Sequence, residues 1–200
     1  NPATGRISFG GVARNIAENL ARLQIPTSLT SVVGDDDNGR LLARQIGDLG
    51  VDVSGVMTLA ARSTAEYVAV VDVSGDLALG LADMAIFDHF PIDHLRAAWP
   101  RLANADWIAA DCNLLAPVLR ELIARCGGGA QRLAIDAVST AKVARLPASL
   151  AGVDLLFLNR DEAAAYLNLS PDRMAPADAD IADELRDRGA RHVIVTRGAE

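Results

Sequence analysis

The stretch "DWIAADCNLLAPVLRELIARCGGGAQRLAID", Asp106 to Asp136, decides the fold. "DWIAAD" reads as a short, apolar strand that closes on an acid. Leu115–Arg125 reads as an amphipathic helix. "CGGGA" breaks that helix and delivers the chain to a second apolar strand, "RLAID". A strand, a helix and a second buried strand within about 30 residues make a parallel crossover unit. The pattern extends in both directions. A helix over Ile92–Ala103 precedes it. A short helical segment near Ala141–Leu150 leads to the strand "DLLFLN". Then come the helix start "RDEAAAYL", a helix near Ile181–Arg188 and the strand "HVIVT". Such alternation predicts an α/β class fold with a mainly parallel sheet covered on both faces. In sheets of this kind ligands bind beyond the carboxyl ends of the strands. Asp111, Asn113, Asp136, Asn159 and Thr196 stand at or just past those ends.

The N-terminal half has a different texture. In "SFGGVARNIAENLARL", Val12, Ile16, Leu20 and Leu23 form the apolar stripe of a helix over Val12–Leu23. "TSLTSVVG" reads as a strand ended by Gly34. "DDDNGRLLARQIGDLGV" reads as a helix with acids at its start and Gly50 at its end, as the helix dipole and C-cap geometry favour. "STAEYVAVVDVSGDLALGLADM" holds two β-rich segments joined by "VSGD". It reads as a hairpin, an excursion from the main sheet.

The bulk numbers bound the answer. The 200 residues suit one domain, or one with a small appendage. Half are hydrophobic, enough for a sizeable core. The net charge of −7 and the lack of a basic run argue against a nucleic-acid partner. No apolar run reaches the roughly 20 residues a membrane span needs, and no signal peptide is visible. Cys112 and Cys126 lack CxxC spacing and a histidine cluster, so they read as reduced, part-buried thiols of a cytoplasmic protein. His89, His94 and His192 make no metal motif and read as surface or packing residues. The chain opens on Asn1 and ends inside "HVIVTRGAE", where an α/β domain rarely stops; further residues are expected beyond both ends.

Each polar candidate carries two readings. Asn159 followed by Glu162 is a capping-box arrangement; it also suits a carboxylate holding hydrated Mg²⁺ beside an amide that orients phosphate oxygens. Asp111 and Asp136 cap turns or face a ligand hydroxyl. Lys142 pairs with an acid or reaches a phosphate. Gly10 and Gly11 either let the backbone turn sharply into the helix or let a ligand approach closely. No GxGxxG or GxxxxGK[ST] loop is present. With no lysine nearby and an amide at Asn15, this stretch suits sugar hydroxyls better than a phosphate. Asn19 reads as structural.

Several stretches converge on one family. "GGVARNIAENLARL" followed by "SVVGDDDNG" resembles the N-terminal signature of the ribokinase-like (PfkB) carbohydrate kinases. "NRDE" resembles that family's N-x-x-E motif, and "VIVTRGAE" the strand and loop before its Gly-Ala-Gly-Asp segment. The order and spacing agree across essentially the whole chain. The whole run "GGVARNIAENLARL", the stretch "STAEYVAVVDVSGDLALGLADM", "ADCN" and "DAVSTAK" are most similar to the branch that phosphorylates pseudouridine. The resemblance implies a ribokinase-like three-layer sandwich, incomplete over 1–200, with a small β lid at about 60–84. It implies an ATP- and Mg²⁺-dependent kinase acting on the 5′-hydroxyl of pseudouridine, and leaves open a monovalent cation. Gly10, Gly11, Asn15, Thr64 and Asn113 match substrate-side positions. Asn159, Thr196 and Gly198 match the ATP and phosphate side, and Glu162 the metal position. The general-base aspartate is expected after Glu200. The lid implies a homodimer; the partners are otherwise small molecules, with no nucleic acid and no membrane. One departure concerns Gln24, where the signature has Gly or Ser. A side chain in a left-handed helix cap costs on the order of 1 kcal/mol.

Other nucleoside or sugar kinases share the phosphate-side residues. A non-catalytic ligand-binding protein on the same fold is the rival from another class. A nicotinamide-binding Rossmann protein lacks its glycine fingerprint here.

Overall fold

The structure is a computed structural model that describes residues 4–169 and 178–198. The chain divides into two compact units, Asn1–Ile86 and Phe87–Glu200.

The first unit begins with α1 (Val12–Arg22). Gly11 precedes it with φ of 101°, a backbone state that glycine adopts without steric cost. The far end closes by a Schellman motif. Gln24 N–H donates to the Ala21 carbonyl at 2.9 Å and Ile25 N–H to Leu20 at 3.0 Å. Gln24 has φ of 61°, so the side chain does stand in the left-handed position that the sequence flagged. β1 (Ser28–Gly34), α2 (Asp37–Asp48) and β2 (Asp52–Leu59) form a parallel crossover, with Ser31 opposite Val56 and Val33 opposite Thr58. Ala17, Leu29, Ile46 and Val51 pack as its core. β2 carries no strand signature in the sequence. "DVSGVMTL" mixes Asp, Ser and Gly with apolar residues and carries no clean period of two, so pairing with β1 defines it as a strand.

β3 (Glu66–Val71) and β4 (Leu77–Asp83) form the expected antiparallel hairpin, from Glu66 opposite Asp83 to Val71 opposite Leu77. Asp72 organises the turn: its Oδ1 accepts from Ser74 N–H at 2.9 Å and Asp76 N–H at 3.0 Å. Every residue of β3 is exposed.

The second unit holds α3 (Ile92–Leu102), β5 (Trp107–Asp111), α4 (Ala116–Gly127), β6 (Arg132–Asp136), α5 (Thr140–Val143), β7 (Leu155–Asn159), α6 (Arg160–Leu167), α7 (Asp178–Asp187) and β8 (His192–Thr196). The four strands run parallel in the order β5-β6-β7-β8. Leu119, Leu133, Ile135, Leu156 and Leu185 are fully buried in its core. Burying each such side chain stabilises by roughly 1.5–3 kcal/mol.

Two expectations are corrected here. The helical segment near Ala141–Leu150 is only the four-residue α5, because Pro147 disfavours helix at Leu146 and offers no N–H itself. The cysteines are fully rather than partly buried: Cys112 is 0 % exposed and Cys126 4 %, both free thiols. Burial pushes their pKa up to about 12 and about 11. Among the described residues no helix is long and apolar enough to cross a membrane.

Candidate active site at the carboxyl ends of the strands

The sequence placed acids and amides at strand ends, and the structure does the same. Asp111, Asp136, Asn159 and Thr196 are the last residues of β5, β6, β7 and β8. Register makes them neighbours in pairs, Asp111 opposite Asp136 and Asn159 opposite Thr196. The parallel sheet aligns all four on one edge, so residues far apart in sequence converge there.

On the β7 side Asn159 and Glu162 build a complete capping box. Glu162 N–H donates to Asn159 Oδ1 at 2.8 Å, and Asn159 N–H donates to Glu162 Oε2 at 2.7 Å. The capping box expected from "NRDE" is therefore formed. The box nevertheless spends only half of Glu162: the residue is 7 % exposed, and no hydrogen bond among the described residues engages Oε1. A nearly buried carboxylate with an unused oxygen suits a hydrated Mg²⁺, which needs few protein ligands. No group of three His, Cys, Asp or Glu side chains gathers a metal among the described residues, so protein carboxylates alone build no cage. Thr196 is exposed, and Gly198 has φ of 67° with open space where a Cβ would stand.

On the β5–β6 side several buried and half-buried polar residues meet. Asp111 and Asn113 are each 8 % exposed. Asp111 Oδ1 accepts from the Asn113 N–H at 2.9 Å. Asp136 Oδ1 accepts from the Val138 N–H at 2.8 Å, and Val138 sits at φ of 68°. A β-branched residue in that region is strained by about 1–3 kcal/mol. Burial, and next the neighbouring Asp111, hold the Asp136 carboxyl above its ordinary range; the Val138 N–H pulls the other way. Ser139 then caps α5, whose Lys142 turns back and donates from Nζ to Asn113 Oδ1. Arg145 donates to the Asn113 carbonyl at 2.6 Å and pairs with Asp88 at 3.3 Å. Sequence reasoning missed Arg145 and Asp88; the separation of 57 residues between them leaves no local signal.

The N-terminal unit places the other candidates. Gly10 has nothing within 4 Å of a notional Cβ, so packing does not require glycine there; Gly11 needs its positive φ. Asn15 is exposed, and its Oδ1 accepts from Arg14 at 3.0 Å, which leaves its Nδ2 as the group on offer. Thr64 is 6 % exposed and committed to architecture. Its Oγ1 donates to Asp36 Oδ1 at 2.6 Å and accepts from Gly34 N–H at 2.9 Å, while its own N–H donates to Asp36 Oδ2 at 2.6 Å. Asp36 also caps α2 through Gly39 N–H at 2.7 Å. These bonds, led by the Thr64 hydroxyl, hold the Asp36 carboxyl below its ordinary value. Asp36 carried no flag beyond its place among the acids at a helix start.

A parallel sheet edged with amides and carboxylates, in a chain that also holds a separate β-α-β unit bearing a hairpin, defines a class: the ribokinase-like α/β kinases. Residues 1–200 match the pfkB family of carbohydrate kinases, and the chain belongs to that family. It is 37 % identical over 119 residues to an uncharacterized sugar kinase, YeiI, of Escherichia coli strain K12, covering 60 % of this chain and 33 % of that protein. It is 30 % identical over 163 residues to the pseudouridine kinase of the same organism, covering 82 % of this chain and 51 % of that protein. A carbohydrate kinase structure from Agrobacterium tumefaciens superposes with a TM-score of 0.78 at 29 % identity, over 93 % of this chain and 58 % of that one. The chain thus spans about a third to a half of the length of these two curated relatives.

Proposed function

We propose that the protein carrying this chain transfers the γ-phosphoryl group of ATP to the 5′-hydroxyl of pseudouridine, in the cytoplasm. The observation that carries the reading is the half-spent Glu162 beside Asn159 at a strand end, in a chain of a carbohydrate kinase family. The pseudouridine branch rests on the relative of that activity, similar over 82 % of the chain. In the transfer the bond from the γ-phosphorus to the bridging oxygen of ADP breaks. A bond to the 5′-oxygen forms, and the hydroxyl proton leaves to a base. Mg²⁺, when bound, would supply positive charge against the phosphates.

The residues of this chain bind and orient. Gly10 leaves room for the ribose, and the Asn15 Nδ2 donates to its hydroxyls. Asn113 serves the acceptor from the β5 end. Asn159, Thr196 and Gly198 serve the phosphate side, and Glu162 Oε1 would hold the hydrated metal. Thr64 acts through the hairpin root. The β3–β4 hairpin is the lid. Its Tyr67, Val68, Val70, Leu79 and Leu81 are each about half exposed, which is apolar area that a second copy's lid would cover. A homodimer through the lid follows, with small-molecule ligands and no nucleic acid.

The test supplies ATP, Mg²⁺ and a panel of pseudouridine, uridine, guanosine, ribose and hexoses. Phosphate on the pseudouridine 5′-oxygen supports the reading. Transfer to ribose or a hexose with pseudouridine ignored moves the protein to another sugar or nucleoside kinase. Binding without transfer marks a non-catalytic ligand-binding protein. Glu162→Gln is expected to lower kcat at least about 100-fold, partly restored by high Mg²⁺; a pure cap would cost about 1 kcal/mol of stability and leave kcat intact.

A further inference from the structure

Lys142 takes no part in the proposed phosphoryl transfer so far, yet its surroundings are unusual. It is half-buried on a four-residue helix. Its Nζ makes one hydrogen bond, to Asn113 Oδ1, and no ion pair among the described residues, although Arg145 beside it has Asp88. A desolvated ammonium with two unused hydrogens is costly to keep unless something binds it. The contact also fixes the Asn113 amide. Lysine only donates, so the oxygen must face Nζ and the NH₂ group must face away. Asn113 is 8 % exposed, and no described residue accepts from its Nδ2. Two neighbouring side chains thus present donors only, just beyond the carboxyl end of β5.

The sign of the surroundings narrows what they take. Asp111 and Asp88 act on the Lys142 charge at longer range, and Asp136 closes the neighbouring strand. Asp111 and Asp88 balance the charges of Lys142 and Arg145, which leaves no surplus of positive charge for an anionic substituent. The backbone is built to hold the lysine there: Asp136 pins Val138 in its strained turn, and Ser139 caps the helix that returns Lys142 to Asn113.

We infer that Lys142 is a positioning residue for the phosphoryl acceptor: it locks the Asn113 carboxamide with its nitrogen outward, and the Lys142–Asn113 pair grips a neutral carbonyl or hydroxyl oxygen of that acceptor rather than a phosphate. The inference rests on the kinase reading and names the chemistry of its acceptor side.

The test uses the full-length protein with Lys142→Met and Asn113→Asp, the second keeping the oxygen toward Nζ and removing the NH₂ donor. Acceptor binding is measured by calorimetry with pseudouridine, ribose and ribose 1-phosphate in the absence of nucleotide, followed by steady-state kinetics. Both substitutions are expected to weaken pseudouridine binding at least about tenfold. The KM for MgATP and the melting temperature should stay at parent values, with ribose 1-phosphate bound no better than ribose by the parent. A rise in the KM for MgATP with pseudouridine binding unchanged overturns the inference, as does parent-like binding in both variants. So does tight ribose 1-phosphate binding that Lys142→Met abolishes. Failure of the kinase reading is separate: the parent would then bind a panel compound and transfer nothing to it.

Discussion

Two buried polar knots, one in each unit, use similar residue types to opposite ends. In the Asp36–Thr64 knot every valence on show is taken. Both carboxylate oxygens of Asp36 accept, and the Thr64 hydroxyl donates and accepts at once. Glycine is forced nearby as well: a Cβ on Gly34 would lie 2.3 Å from the Arg62 carbonyl oxygen, and one on Gly39 would lie 2.5 Å from that of Gly34. In the Lys142–Asn113 knot the donors are left over. A closed knot holds structure; an open one leaves donors that a ligand could take. Burial alone does not separate the two, since Thr64 is 6 % and Asn113 8 % exposed. Counting unspent hydrogen bonds does.

The comparison breaks most visibly at Gly34. Gly34→Ala drives a methyl into the backbone at the hairpin root and is expected to cost about 3 kcal/mol, read by denaturant unfolding. Thr64→Val removes the donor to Asp36 and strands the Gly34 N–H; we expect about 2 kcal/mol, with faster hydrogen exchange across β3 and β4. Acid probes the same knot without mutation. The Asp36 carboxyl is held below its ordinary value of 3.8, so its contribution is complete above that pH and is lost as pH falls through the lower folded value. Exchange at Thr64 and Gly39 should rise in that window, and Asp36→Asn should flatten the rise. Gln24→Gly relieves a left-handed side chain outside both knots and should add about 1 kcal/mol, with no change in ligand binding. The smallest effect sharpens the contrast. Lys142→Met should move stability by less than about 0.5 kcal/mol, because losing one hydrogen bond is offset by no longer burying a charge. A loss of about 2 kcal/mol there would make the second knot as structural as the first.

Much of this was legible in the chain itself. Strand-ending Asp111, Asp136, Asn159 and Thr196 could be placed because apolar runs of three or four residues stop at them. The hairpin showed through "VSGD", and the strain at Gln24 through a cap position without glycine. β2 was not legible, because its composition follows no period. Thr64 was singled out by resemblance, while its partnership with Asp36, 28 residues away, left no local trace. Asn159 and Glu162 were read both as cap and as site. The geometry fulfils the cap and leaves Oε1 over, a distinction only coordinates can make.

The sequence by itself determined the class of fold, the alternation of strand and helix, the family and which residues end the strands. Those properties depend on periodicity and neighbours within a few positions, which a linear chain records. Tertiary structure alone decided which polar side chains are spent and which are not. Hydrogen-bond satisfaction depends on partners brought together from distant parts of the chain, as Lys142 is to Asn113 across 29 residues. A spent threonine and an unspent asparagine look alike until the sheet has aligned their neighbours.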